Sequence, residues 1–205
     1  MKKIAIIGAG GINSFSIQHI KDVCTLYEKN KIIYVKIFDN DEVEEKNIIR
    51  QNQNFTVDDL MEQKAEVLSK RFSFDFENCF ITEDNIDKLE PFDDIILGVD
   101  NHKVRRLVYK YCWDKNKWLL DLRANGSKTA YFMLDRDKKW EDYEKEHFSN
   151  IEIMERKGGC QRKEDIEKDI IQSGNRIIAY IGIWGIYLKH LRSEEIEKYE
   201  YRDVY

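Results

Sequence analysis

The chain has 205 residues, 42% of them hydrophobic and 36% charged, with a formal net charge of −5. That length suits one large domain or two small ones with a real core, and the apolar residues fall in distinct runs, which excludes a disordered chain. The acidic balance argues against nucleic acid as a partner, and no apolar run approaches the roughly 20 residues of a membrane span.

The apolar run near the N-terminus, Ile4 to Ile7, is too short for the core of a secretion signal, so a cytoplasmic protein is expected. Cys24, Cys79, Cys112 and Cys160 form no Cys-x-x-Cys pair. This argues against a structural zinc site, and the cytosolic reading argues against disulfides.

Lys3 to Ile7 has the pattern of a buried strand, short, β-branched and stopped by Gly8-Ala9-Gly10-Gly11. Ile12 to Val23 follows with helical spacing of Phe15, Ile17 and Ile20, and Ile32 to Phe38 is a second strand. Strand, glycine turn, helix and strand within forty residues make a βαβ unit. Thr56 to Phe72 is expected to form one helix with an apolar stripe at Val57, Leu60, Met61, Ala65, Leu68 and Phe72. Thr56 and Asp59 have the spacing of a capping box at its start.

A weak strand is expected at Asn78 to Thr82 and a strong one at Asp94 to Val99, then a helix at Asn101 to Trp113. Two further strands, Trp118 to Leu122 and Thr129 to Leu134, flank an Asn125-Gly126 turn. Asp135 to His147, with ten charged residues in thirteen, is surface, as helix or loop. Gly158-Gly159 marks a flexible point, and Ile166 to Leu191 carries a long apolar helix signal broken near Ser173-Gly174-Asn175. Gly182 and Gly185 would let that helix pack closely, either within the chain or against another copy.

This order predicts an α/β, Rossmann-like fold: a mostly parallel sheet with helices on both faces and a C-terminal helical extension. Residues 1 to 135 would form the nucleotide domain, and residues 136 to 205 a charged crossover segment and terminal helix packed on it.

Chemistry in such folds gathers beyond the carboxyl ends of the strands. The glycines let a backbone approach phosphates, and the following helix N-terminus favours an anion. Asn13 stands where the third glycine of a dinucleotide fingerprint would be, which argues against an NAD or FAD site. Asp39 ends the second strand, as a ribose-binding acid or as a turn residue. Asp39-Asn40-Asp41 opens like a calcium loop, but Glu44 stands where glycine is required and Arg50 where the final glutamate is.

Asn47, Arg50 and Gln51 lie in a polar stretch where Arg50 could clamp a phosphate. Lys64 falls on an apolar stripe, so it either snorkels or reaches an anion. Asp100 is a helix N-cap or a magnesium ligand, flanked by Asn101 and Arg105. Cys160 lies in a polar Gly-Gly-Cys-Gln stretch as an incidental or a nucleophilic cysteine. The four histidines have no ligand spacing.

The ordered set Gly8-Ala9-Gly10-Gly11-Ile12, Asp39-Asn40-Asp41-Glu42-Val43, Asn47-Ile48-Ile49-Arg50-Gln51, Lys64-Ala65 and Asp100-Asn101 with Arg105 resembles the ubiquitin-activating E1-like superfamily of ThiF- and MoeB-type adenylating proteins. The likeness covers about residues 1 to 135. It implies that Gly8, Gly10, Gly11 and Ile12 hold ATP phosphates and that Asp39 binds ribose. It implies that Arg50 and Lys64 hold phosphates, that Asn47 shapes the pocket beside Asp41, Gln51 and Asn101, and that Asp100 carries Mg²⁺.

The implied reaction is adenylation of the C-terminal glycine carboxylate of a small ubiquitin-like or sulfur-carrier protein. Arg50, Lys64, Asp100 and Cys160 are its implied catalytic residues, Cys160 through a thioester formed from the crossover loop. A homodimer is implied as well. A nicotinamide-dependent oxidoreductase, a non-catalytic nucleotide-binding adaptor and an enzyme activating a non-protein carboxylate are the alternatives.

Overall fold

The computed structural model describes residues 2–27, 33–49, 53–126, 128–148, 173–193 and 199–203. The expectations that fall on Arg50, Gln51, Gly158, Gly159 and Cys160 lie outside these residues.

Seven strands form one sheet in the order β3-β2-β1-β4-β5-β6-β7. They are β1 (Lys2–Ile7), β2 (Ile33–Phe38), β3 (Asp75–Glu77), β4 (Asp94–Leu97), β5 (Trp118–Asn125), β6 (Lys128–Met133) and β7 (Tyr199–Asp203). The first five run parallel, and β6 pairs antiparallel with both β5 and β7. Helix α1 (Asn13–Tyr27) links β1 to β2, α2 (Glu45–Ile49) and α3 (Lys64–Phe72) precede β3, and α4 (His102–Asp114) links β4 to β5. α5 (Trp140–Phe148) follows β6. The terminal helix comprises α6 (Gly174–Tyr180), π-helical turns at Ile181–Tyr187, and α7 (Leu188–Arg192).

Alternation along the strands builds two cores. Ile4, Ile6, Val35, Ile37, Ile96, Leu120 and Leu122 face α1, α3 and the terminal helix. Ala5, Ile7, Ile95, Leu97 and Leu119 face α4 and α5, where Val108, Tyr109, Cys112, Tyr143 and Phe148 complete the layer. Each fully buried Ile or Leu contributes roughly 1.5–3 kcal/mol, so both faces must be covered and the sheet is sandwiched. The Rossmann-like α/β expectation holds.

Two local expectations need correction. Thr56 to Phe72 is not one helix: a 3₁₀ turn spans Val57–Asp59, and α3 starts only at Lys64. Between them Met61 has φ 67°, and residues 61–63 bond residues 42–43 instead of continuing the helix. Val57 and Met61 are accordingly exposed rather than core. The capping-box pair does form, on the 3₁₀ turn, with the Thr56 amide donating to Asp59 at 2.6 Å.

The weak strand lies at Asp75–Glu77, not at Asn78 to Thr82, because β2 offers partners only as far as Phe38. The charged stretch after β6 is helical over Trp140–Phe148, since Tyr143 and Phe148 give it a buried side. β7 has no counterpart in the sequence reading; its partner is the free edge of β6.

The terminal helix is anchored at the amino edge of the sheet. Buried Asp94 accepts from Lys2 Nζ at 2.8 Å and Tyr187 OH at 3.0 Å, and His190 Nε2 lies 3.2 Å away. Trp118 stacks on the His190 ring at 4.0 Å. Gly182 packs within the chain: a Cβ there would stand 2.5 Å from Leu122 Cδ2. No helix among the described residues is long and apolar enough to cross a membrane.

Candidate functional site

The site candidates gather at the carboxyl edge of β1, β2 and β4. β1 ends at Ile7, and Gly8 turns the chain with φ +87°, a conformation open to glycine. A Cβ there would also stand 3.0 Å from the Gly98 carbonyl oxygen and from Val99, so the glycine turn lies directly against the end of β4. Gly10 and Gly11 lead into the 15-residue α1, whose dipole favours an anion; the Ser14, Phe15 and Ser16 amides already bond the Gly10 and Ile12 carbonyls, which leaves the amides before them facing the turn. Gly11 has a second reason to be glycine: a Cβ would stand 2.5 Å from Asn175 Nδ2 at the start of α6. Ile12 is buried.

Asp39, 7% exposed, bonds this turn to the end of β2. Its Oδ2 accepts the Ala9 amide at 2.6 Å and its Oδ1 accepts the Asp41 amide at 2.7 Å. Burial raises its pKa above the ordinary carboxylate value, more than the two amides and the Lys64 charge lower it.

Asp41 then reaches Lys64. Lys64 Nζ lies 3.2 Å from Asp41 Oδ2, and the Lys64 amide donates to the Asp41 carbonyl at 2.9 Å. The lysine is 5% exposed and heads α3, where a cation opposes the helix dipole. Its partner, the Asp41 carboxylate, offsets that cost. Asn47, 1% exposed, turns its Oδ1 back to the Glu44 amide at 2.8 Å and its carbonyl to the Gln53 amide at 3.0 Å, which holds the loop after Asp41.

Asp100 is exposed at the end of β4, without a side-chain partner among the described residues. It is not the helix N-cap; Asn101 is, with Oδ1 accepting the Lys103 amide at 2.9 Å and the Val104 amide at 3.1 Å. Arg105 points inward, its two terminal nitrogens donating to Asp121 and to the Val99 carbonyl. The fully buried Asp121 also accepts Tyr109 OH at 2.8 Å and Arg123 Nε at 2.7 Å. Burial pushes the Asp121 pKa up, but the two guanidinium groups outweigh it and hold it below the ordinary value. The loop bearing Asp100 is thus held from below by a charged cluster that the sequence reading missed, because Asp121 looks like any polar position in a strand.

A continuous path of contacts therefore runs from the Gly98–Asp100 loop through Gly8 and Ala9 to Asp39, Asp41 and Lys64. Along it lie the amides of the turn, the Lys64 ammonium paired with Asp41, a buried acid beside the turn, and the exposed Asp100. No group of three or more His, Cys, Asp or Glu side chains fit to hold a metal occurs among the described residues. A lone exposed carboxylate fits Mg²⁺, which keeps waters and phosphate oxygens as its other ligands.

The ThiF family model matches residues 1–181. Solved structures of the same fold include E. coli MccB with AMPCPP and selenomethionine MccA, at 16% identity and TM-score 0.70, covering 98% of this chain and 63% of that one. Selenomethionine PaaA matches at 13% identity and TM-score 0.70 over 100% of this chain and 73% of that one. E. coli MccB with ATP matches at 16% identity and TM-score 0.64, over 98% and 63%. The chain thus spans less than two thirds of the length of MccB. The search of curated proteins returned no match. The family match extends over most of the chain: this protein belongs to the ThiF family.

Proposed function

We propose that this protein is an ATP- and Mg²⁺-dependent adenylyltransferase acting on the C-terminal carboxylate of a small ubiquitin-like or sulfur-carrier protein. The observation that carries the reading is the unbroken path from the glycine turn through Asp39 and Asp41 to Lys64, with Asp100 exposed across from it. The MccB structures with ATP and with MccA support the nucleotide and a small substrate partner.

In this reading the substrate carboxylate attacks the α-phosphorus, an O–P bond forms, and the bond to the β-phosphate oxygen breaks to release pyrophosphate. The difficulty is the approach of two anions, so catalysis is charge stabilisation and alignment. The α1 N-terminus and Lys64 neutralise phosphate charge, joined by Arg50, with Asn47 and Gln51 shaping the wall. Asp39 accepts from the ribose hydroxyls. Asp100 would hold Mg²⁺, which supplies charge neutralisation on the phosphate oxygens. Cys160 then takes the acyl group: its thiolate attacks the acyl carbon, a thioester forms and AMP leaves. Residues 1 to 135 act as the adenylation unit, residues 136 to 205 extend it, and the protein works as a cytoplasmic homodimer.

The test is ATP–pyrophosphate exchange in the presence of candidate carriers ending in glycine. Exchange is expected, Asp100→Ala abolishes it, and Cys160→Ala leaves exchange intact while blocking covalent transfer. Calorimetric titration showing no ATP binding, or NAD binding in its place, refutes the proposal.

A further inference from the structure

We propose that Asn13, the residue that breaks the glycine fingerprint, is a positioning residue for the nucleotide loop: it fixes the orientation of the Gly8–Ala9 peptide unit. This rests on the ATP-binding reading above. Asn13 is fully buried and heads α1, so it does not itself meet a ligand.

Its Nδ2 donates to the Gly8 carbonyl at 2.9 Å and to the Ile7 carbonyl at 3.1 Å. The two acceptors are not equivalent. Ile7 O also receives the Gly98 amide at 3.1 Å, whereas Gly8 O has no other donor among the described residues. The Gly8 carbonyl and the Ala9 amide belong to one planar peptide unit and point in opposite directions. Asn13 holds the carbonyl end, and Asp39 Oδ2 holds the amide end at 2.6 Å.

This plane can rotate readily on its Gly8 side, because Gly8 has no Cβ to resist rotation and sits at φ +87°. Rotating it would break both bonds together and turn a carbonyl toward the Asp39 carboxylate. The next amides, at Gly10, Gly11 and Ile12, are the ones a phosphate would meet, and their direction follows from this plane. Asn13 and Asp39 therefore clamp the first peptide of the loop from its two sides.

Asn13 has a second, separable role as filler. A Cβ on Gly98 would stand 2.6 Å from Asn13 Cγ, so the asparagine occupies the space that Gly98 leaves at the end of β4. Its Oδ1 is buried with no partner, so the donor half of the amide does the holding. Packing and clamping can thus be separated by pairing a truncation at 13 with a methyl group at 98.

The experiment compares wild type, Asn13→Ala, Asn13→Asp and the double variant Asn13→Ala/Gly98→Ala. Calorimetry with ATP, amide hydrogen exchange at Ala9 and thermal midpoints are measured on each. Asn13→Ala is expected to speed Ala9 exchange and weaken ATP binding by about tenfold, the worth of one hydrogen bond. The double variant recovers thermal midpoint while both losses persist. Asn13→Asp, of the same shape but with an acceptor facing Gly8 O, is at least as impaired and serves where the alanine variant fails to fold.

Wild-type ATP affinity and Ala9 exchange in Asn13→Ala, or recovery of both in the double variant, overturns the inference. Absence of ATP binding in the wild type refutes the function proposed above instead. Ala9 exchange still decides the role of Asn13 in that case.

Discussion

Replacing Asp121 with Asn removes one charge and no volume, and it tests the buried cluster behind the Asp100 loop. The carboxylate is fully buried and accepts from Arg105, from Arg123 Nε at 2.7 Å and from Tyr109 OH at 2.8 Å. Both arginines are themselves largely enclosed, Arg105 at 5% exposure. In the variant two guanidinium groups remain with no counter-charge, and the amide directs N–H groups at one of its former donors. Breaking a buried pair by removing one partner costs about 3–5 kcal/mol. For a chain of this size each kcal/mol shifts the melting midpoint by roughly 2–4 °C.

A fall in melting temperature of about 6–20 °C by calorimetry is therefore expected, with no change in the fold by circular dichroism. A cycle with Arg105→Gln should show coupling of about 2 kcal/mol, because the double variant no longer strands that guanidinium. Arg105 also donates to the Val99 carbonyl, so exchange of the Asp100 and Asn101 amides should quicken in both single variants. A loss below about 1 kcal/mol, or additive single effects, would show that the cluster does not hold the loop as argued.

Glu77 receives Lys36 and Lys88, which lower its pKa from 4.5 to about 2. Its folded value lies below its unfolded one, so its contribution is present above pH 4.5 and lost as pH falls toward 2. The side chain is 28% exposed, and screening limits this to about 1 kcal/mol. Glu77→Gln should flatten the acid limb of a stability–pH curve measured by urea unfolding; an unchanged limb counts against the pairing. Gly182→Ala places a methyl 2.5 Å from Leu122 Cδ2 and should cost about 1–3 kcal/mol by overpacking, part of it recovered with Leu122→Ala. Thermal melts of the single and double variants check this, and a neutral Gly182→Ala would show that Leu122 swings clear. Asp94→Ala strands Lys2, Tyr187 and His190 and should cost about 3 kcal/mol; limited proteolysis should then cut nearer the terminal helix first, whereas wild-type resistance would assign the anchor to packing alone.

The sequence by itself determined the alternating architecture, the glycine turn, the strand-end acid Asp39 and the helices after β1 and β4. These follow from signals of short range: β-branched runs, helical spacing of apolar residues, and glycines between them. Where Lys64 sits was legible only in part. Its apolar neighbours suggested mid-helix, but backbone bonds from residues 61–62 to Val43 postpone the helix so that Lys64 heads it beside Asp41.

Tertiary structure alone decided the rest. Arg105 turns inward because Asp121, 16 residues on, lies in the neighbouring strand, and Asp94 gains Tyr187 from 93 residues away. β7 exists because β6 leaves an edge to pair with. Asn13 is, in sequence, a missing glycine; folded, it and Asp39, which lies at the end of another strand, grip the two ends of one peptide. Local pattern records how a segment buries its own apolar face. The partner of a buried charge or amide is set by chain segments remote in sequence, which no local spacing encodes.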